Sequence, residues 1–85
     1  MSTVYPIYLK LEKENIGMIK YIIETYEDVA NVRTLDAESG EIVILALEDT
    51  KEHARKILEE LSREIEFEEI SAPKTLENDW LLKQL

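Results

Sequence analysis

Cysteine is absent from the sequence. That excludes disulfides, iron–sulfur clusters and thiolate zinc sites, so hydrophobic packing, with or without a partner subunit, has to hold the fold together. Histidine occurs once, as His53. A lone histidine with no second ligand beside it is no metal site, and its place one position before the apolar Ala54 puts it outside the core. No metal or cofactor is therefore expected. No run approaches the roughly 18 consecutive apolar residues of a membrane span. Met1 to Lys10 lacks the basic start and apolar core of a signal peptide, so a cytoplasmic setting is expected. Basic residues are also scarce, 10 against 19 acidic ones, for a formal charge of −9. Such a surface repels phosphate backbones and anionic lipid, which argues against nucleic-acid or membrane partners and otherwise serves solubility. There is no repeat, low-complexity tract or linker before residue 71.

What the chain does contain is one domain's worth of alternating patterns over 85 residues. A domain this small buries a modest share of its surface and is marginally stable alone. From Val4 to Glu12, Tyr5, Ile7, Leu9 and Leu11 alternate with Pro6, Tyr8, Lys10 and Glu12, the period of a strand with one buried face. Asn15 is a good helix N-cap, and Ile16, Ile19, Ile22, Ile23 and Tyr26 recur at helical spacing, predicting a helix over 16–27. Ala30 to Asp36 reads as a weaker strand, followed by the turn Asp36-Ala37-Glu38-Ser39-Gly40. Ile42 to Leu47 is apolar without a break, as in a strand covered on both faces, which belongs in the middle of a sheet. Asp49 or Thr50 caps the next helix, with Glu52 placed for a capping box. Ala54, Ile57, Leu58, Leu61 and Ile65 mark its buried stripe. Glu66 to Ile70 is a short last strand with Phe67 inward, and Pro73 ends the regular pattern. Domain 1–72 is thus followed by an amphipathic tail, 73–85, with Leu76, Trp80, Leu81 and Leu85 at helical spacing.

The order is β-α-β-β-α-β. Two interleaved right-handed β-α-β units make an α+β, ferredoxin-like sandwich: a four-stranded antiparallel sheet, two helices on one face, and a short C-terminal helix. Strands one and three are expected in the centre, although Tyr8 and Lys10 are polar for a covered strand. Helices on one face leave the other bare, so either Ile42/Ile44/Ala46 or Val43/Leu45/Leu47 points away from them. Burying three such residues is worth about 1.5–3 kcal/mol each, so a cover is expected: the tail with Trp80, a second copy of the chain, or both. Val43, Leu45, Leu47 and Trp80 are the expected interface residues.

Glu14-Asn15-Ile16-Gly17-Met18-Ile19 resembles the loop that opens the first helix of ACT domains, with Ile16 where that family often has proline. The resemblance implies the βαββαβ fold, a homodimer, and an amino-acid site at the strand-one–helix-one loop. Asn15, Ile16, Gly17 and Met18 would be that site, with backbone N–H groups holding a carboxylate. A wider pattern over residues 5–70 resembles a family of short prokaryotic proteins catalogued as a domain of unknown function: Tyr8-Leu9-Lys10-Leu11, Ile16 to Lys20, Val32 to Asp36 and Ile65 to Ile70. It implies the same fold and brings no activity.

Each candidate residue has a plainer reading. Gly17 serves close packing of the helix start as readily as a ligand. Arg33 suits a structural pair with a glutamate better than a ligand carboxylate. Glu66, Glu68 and Glu69 fit a solvated edge strand better than a hard-cation site. Trp80 packs within or between chains rather than stacking on a ligand. Several relatives of the architecture are excluded. Ile42 to Leu47 lacks the aromatics of an RNA-binding sheet. There are no paired cysteines for metal delivery, and residues 12–17 hold no arginine for an acylphosphatase loop. No nucleophile–base pair or carboxylate constellation stands out, so no catalytic residue is named. The expected function is a non-catalytic regulatory module that binds a small metabolite such as an amino acid. The alternative is an interaction subunit or adaptor using the open sheet face and the tail.

Overall fold

Period-two patterning over the first strand and an unbroken apolar run in the third produce what the computed structural model shows: an α+β domain with a four-stranded antiparallel sheet and two helices among the described residues. It describes residues 3–72. The expected C-terminal helix and Trp80 lie outside the described residues. The elements are β1 (Val4–Leu11), α1 (Ile16–Glu24), β2 (Ala30–Asp36), β3 (Glu41–Leu47), α2 (Lys51–Leu61) and β4 (Phe67–Ile70), with a 3-10 turn, Lys13–Asn15, ahead of α1. The strands lie in the order β2-β3-β1-β4. The first and third strands are therefore central, as the element order and the unbroken apolar run of β3 predict.

Register assigns the faces. Ile7 pairs with Ile44 and Leu9 with Ile42, and Ile44 and Ala46 also face Val32 and Ala30. These residues share one cluster with Ile19 and Ile23 of α1 and with Ala54, Ile57, Leu58 and Leu61 of α2. Both helices therefore bury their stripes against one sheet face. On the other face Tyr8 and Arg33 flank Val43, and Pro6 stands beside Leu45. The apparent misfits of β1, Tyr8 and Lys10, belong to this outer row, which neither α1 nor α2 covers.

Both helices end earlier than their periodicity predicts. α1 stops at Glu24, and Tyr26 is left 38% exposed instead of joining the core. The Thr25 hydroxyl and its N–H both donate to the Ile22 carbonyl, at 2.6 and 3.1 Å, which tightens the last turn and diverts the chain. α2 stops at Leu61, yet Ile65 remains buried because its N–H reaches back to the Leu61 carbonyl at 2.9 Å.

The expected caps are also corrected. Asn15 has helical backbone angles and no side-chain cap bond, since the 3-10 turn has already started the helix. Thr50 takes the cap position of α2, which puts Glu52 at the second helical residue, one short of a capping box. The Thr50 hydroxyl is committed elsewhere. It donates to the Val29 carbonyl at 2.8 Å and accepts from the Leu47 N–H at 3.1 Å, stitching β3, α2 and the α1–β2 connection together.

Gly40 closes the β2–β3 turn with φ +78°, and its carbonyl accepts from the Leu11 N–H at 2.9 Å. A Cβ there would collide with the Leu11 carbonyl oxygen. Asp36 supports the same turn by accepting from the N–H groups of Glu38 and Ser39 at 3.1 and 3.3 Å.

Candidate functional site

Antiparallel pairing brings three connections to one end of the sheet. β1 finishes there at Leu11, the β2–β3 turn lies beside it, and β4 begins opposite Leu11 at Phe67. The gap between them is a cleft of about 560 Å3, lined by Lys10, Lys13, Glu12, Glu14, Glu66 and Ser39 among others. Its size suits a small metabolite. Its walls are mixed in sign, with carboxylates in excess. Lys13 makes a long, exposed ion pair of 3.7 Å with Glu38 across the opening. Such a pair contributes little and exchanges readily. The Ser39 hydroxyl oxygen is shielded from solvent and has no hydrogen-bond partner among the described residues. A buried hydroxyl without a partner is costly, and a polar ligand group could satisfy it.

The residues named from the ACT resemblance sit just behind this cleft rather than in its wall. The N–H of Asn15 donates to the Glu12 carbonyl at 2.8 Å, and that of Ile16 to the Lys13 carbonyl. Two of the four groups meant to hold a carboxylate are thus engaged within the chain. Gly17 and Met18 face outward, and a Cβ on Gly17 would meet nothing within 4 Å. Close packing therefore does not explain this glycine.

A second cluster links α2 to the sheet edge. Arg55 donates to both carboxylate oxygens of Glu69, at 2.8 and 3.0 Å, and to the Tyr5 hydroxyl at 3.1 Å. Lys51, held by Glu48 at 2.8 Å, lies 5.3 Å from the centre of the Tyr5 ring. The hydrogen bond from Arg55 is the main cause that holds the Glu69 carboxyl below its ordinary range; partial burial acts against it, and the guanidinium charge adds to it. Arg55 is raised in turn by its bonds to Glu69 and then Tyr5. The Lys51 ammonium is raised chiefly by its hydrogen bond to Glu48. All three shifts favour the charged forms, the opposite of what proton transfer near neutral pH requires. The cluster is a staple between α2 and β4.

Arg33 is exposed and makes no ion pair with another described residue, so the expected glutamate partner is not found. Glu68 and Glu69 point to opposite sheet faces, which rules them out as one cation site with Glu66. No group of three His, Asp or Glu able to hold a metal occurs among the described residues. His53 is exposed and meets Tyr26 edge-on at 6.3 Å, outside the core as its spacing indicates. Of the interface residues, Val43 is fully buried, Leu45 half-buried and Leu47 39% exposed. Among the described residues no helix is long and apolar enough to cross a membrane.

The roles of Lys10, Lys13 and Ser39 escape a reading along the chain, because they lie on three separate segments. The signal that could have joined them is topological: in this strand order the β1 exit, the β2–β3 turn and the β4 entry must share one end. A family model described as a domain of unknown function (DUF4911) matches residues 9–65. No curated protein and no solved structure matches the chain.

Proposed function

The chain belongs to the DUF4911 family of domains of unknown function, and from that premise we propose that it is a non-catalytic, cytoplasmic binding module whose ligand is a small zwitterion of the amino-acid class. The strand order, with both helix stripes on one face, supports the finer ferredoxin-like, ACT-like reading of the fold. The observation that carries the functional reading is the mixed-charge cleft at the β1–α1 corner, with a Ser39 hydroxyl in its wall that has no partner among the described residues. Glu12, Glu14 and Glu66 offer oxygens to an ammonium group. Lys10 and Lys13 offer donors to a carboxylate. The backbone N–H groups of the helix start are secondary in this version, because those of Asn15 and Ile16 are already used.

A ligand that binds only the folded state stabilises it by RT ln(1 + [L]/Kd), about 2.7 kcal/mol at one hundred times Kd. A thermal-shift screen of the twenty amino acids and simple amines is the direct test. The expected result is a rise in Tm with at least one of them that is reduced in both Lys13→Ala and Ser39→Ala. No shift with any compound at tens of millimolar would remove the reading. A second reading, an interaction subunit that works as a homodimer, is favoured by Met18 and Tyr21, which stand 54% and 72% exposed on α1. Sedimentation equilibrium distinguishes it, because dimerisation weakened by Tyr21→Glu would assign that helix face to a second copy.

A further inference from the structure

Val43 has no exposed surface, yet it does not belong to the cluster packed under the helices. Its side chain lies on the outer sheet face, as do Leu45 and Leu47 on β3, Val4 and Tyr8 on β1, and Ile70 on β4. Among the described residues no helix covers that face. A shallow groove of about 280 Å3 crosses one corner of it, with Val4, Leu45 and Leu47 as its apolar wall and Arg33 and Asp28 at its rim.

The chain itself leads there. β4 runs from Phe67, opposite Leu11, to Ile70, opposite Tyr8, and so heads for the end of the sheet where Val4 pairs with Leu47. Past Ala72 the thirteen residues 73–85 remain. Reaching β3 from β4 means crossing two strand spacings, about 10 Å. Thirteen residues span about 20 Å even when fully helical. Leu76, Trp80, Leu81 and Leu85 recur at the spacing of one helix face.

We propose that segment 73–85 is the occupant of the outer sheet face, laid across β1 and β3 with Trp80 against Leu45 and Leu47. The face opposite the helices is then closed by the chain's own C-terminal segment rather than by a second copy. This proposal is independent of the ligand reading, since the cleft lies at the opposite end of the strands.

Trp80 is the only tryptophan, so its fluorescence reports on the segment alone. In the full chain, emission should be blue-shifted and shielded from acrylamide, and unchanged on dilution. Leu45→Glu, on a half-buried site that leaves the helix-side core intact, should shift emission to the red and restore quenching, whereas Tyr21→Glu on the outer side of α1 should not. Chain 1–72 should melt several degrees lower than the full chain. Free quenching of Trp80 in the unmutated protein would overturn the proposal. So would protection that Leu45→Glu leaves untouched, or protection lost on dilution, which would make a second copy the occupant.

Discussion

The two glycines make a matched pair whose exchange for alanine should have opposite effects. At Gly40, φ is +78°, and an L-residue held in the left-handed region costs about 1–2 kcal/mol. The added Cβ would also strike the Leu11 carbonyl oxygen, which is backbone and cannot rotate away. Relief means moving β1 and the turn apart, which strains the bond from the Leu11 N–H to the Gly40 carbonyl, worth about 0.5–1.5 kcal/mol. Together these give roughly 3 kcal/mol, set against a total stability of about 4–13 kcal/mol for a chain of this length. At Gly17 the Cβ enters open space. Alanine there gains up to about 1 kcal/mol from reduced backbone entropy in the unfolded chain and better helix propensity. Urea unfolding of both variants beside the parent measures each change, and each kcal/mol should move Tm by about 4–8 °C in a domain of this size. Gly40→Ala that unfolds at the parent's midpoint would show that the turn relaxes without loss and that the steric argument is wrong. Gly17→Ala that destabilises would mean that something unseen packs on that helix start.

Thr50→Val keeps the shape of the side chain but strands the Val29 carbonyl and the Leu47 N–H; it should cost about 1–3 kcal/mol in urea titration. Glu69 has its folded-state pKa depressed by Arg55, so its contribution to stability is present above the ordinary carboxylate value and fades as pH falls through the lower folded one. Because both side chains are about half exposed, the contribution is below about 1 kcal/mol. Tm of Glu69→Gln should therefore trail the parent modestly near neutral pH and converge with it below about pH 4. A gap that is constant across that range would mean that the Arg55 bond is not what depresses Glu69.

Local pattern settled the elements and their burial, and long-range packing settled the rest. Alternation in Val4–Leu11, the unbroken Ile42–Leu47 and the stripe from Ala54 to Leu61 each announce element type, because periods of two and of 3.6 are properties of the backbone alone. The central place of β3 was legible from its unbroken apolar run, and that of β1 from the element order, since two interleaved β-α-β units put the first and third strands inside. Element ends were less legible, since the Thr25 hydroxyl turns back onto the Ile22 carbonyl within a helical pattern that continues past it, and the Thr50 hydroxyl takes the Val29 carbonyl, twenty-one positions away, which only folding brings within reach. The staple joining Arg55, Tyr5 and Glu69 draws on three segments, with Arg55 fifty positions from Tyr5 and fourteen from Glu69, and no spacing rule spans those distances. The cleft is of the same kind. Its glutamates and lysines are ordinary surface residues along the chain, and only the strand order gathers them at one end of the sheet beside a hydroxyl without a partner among the described residues.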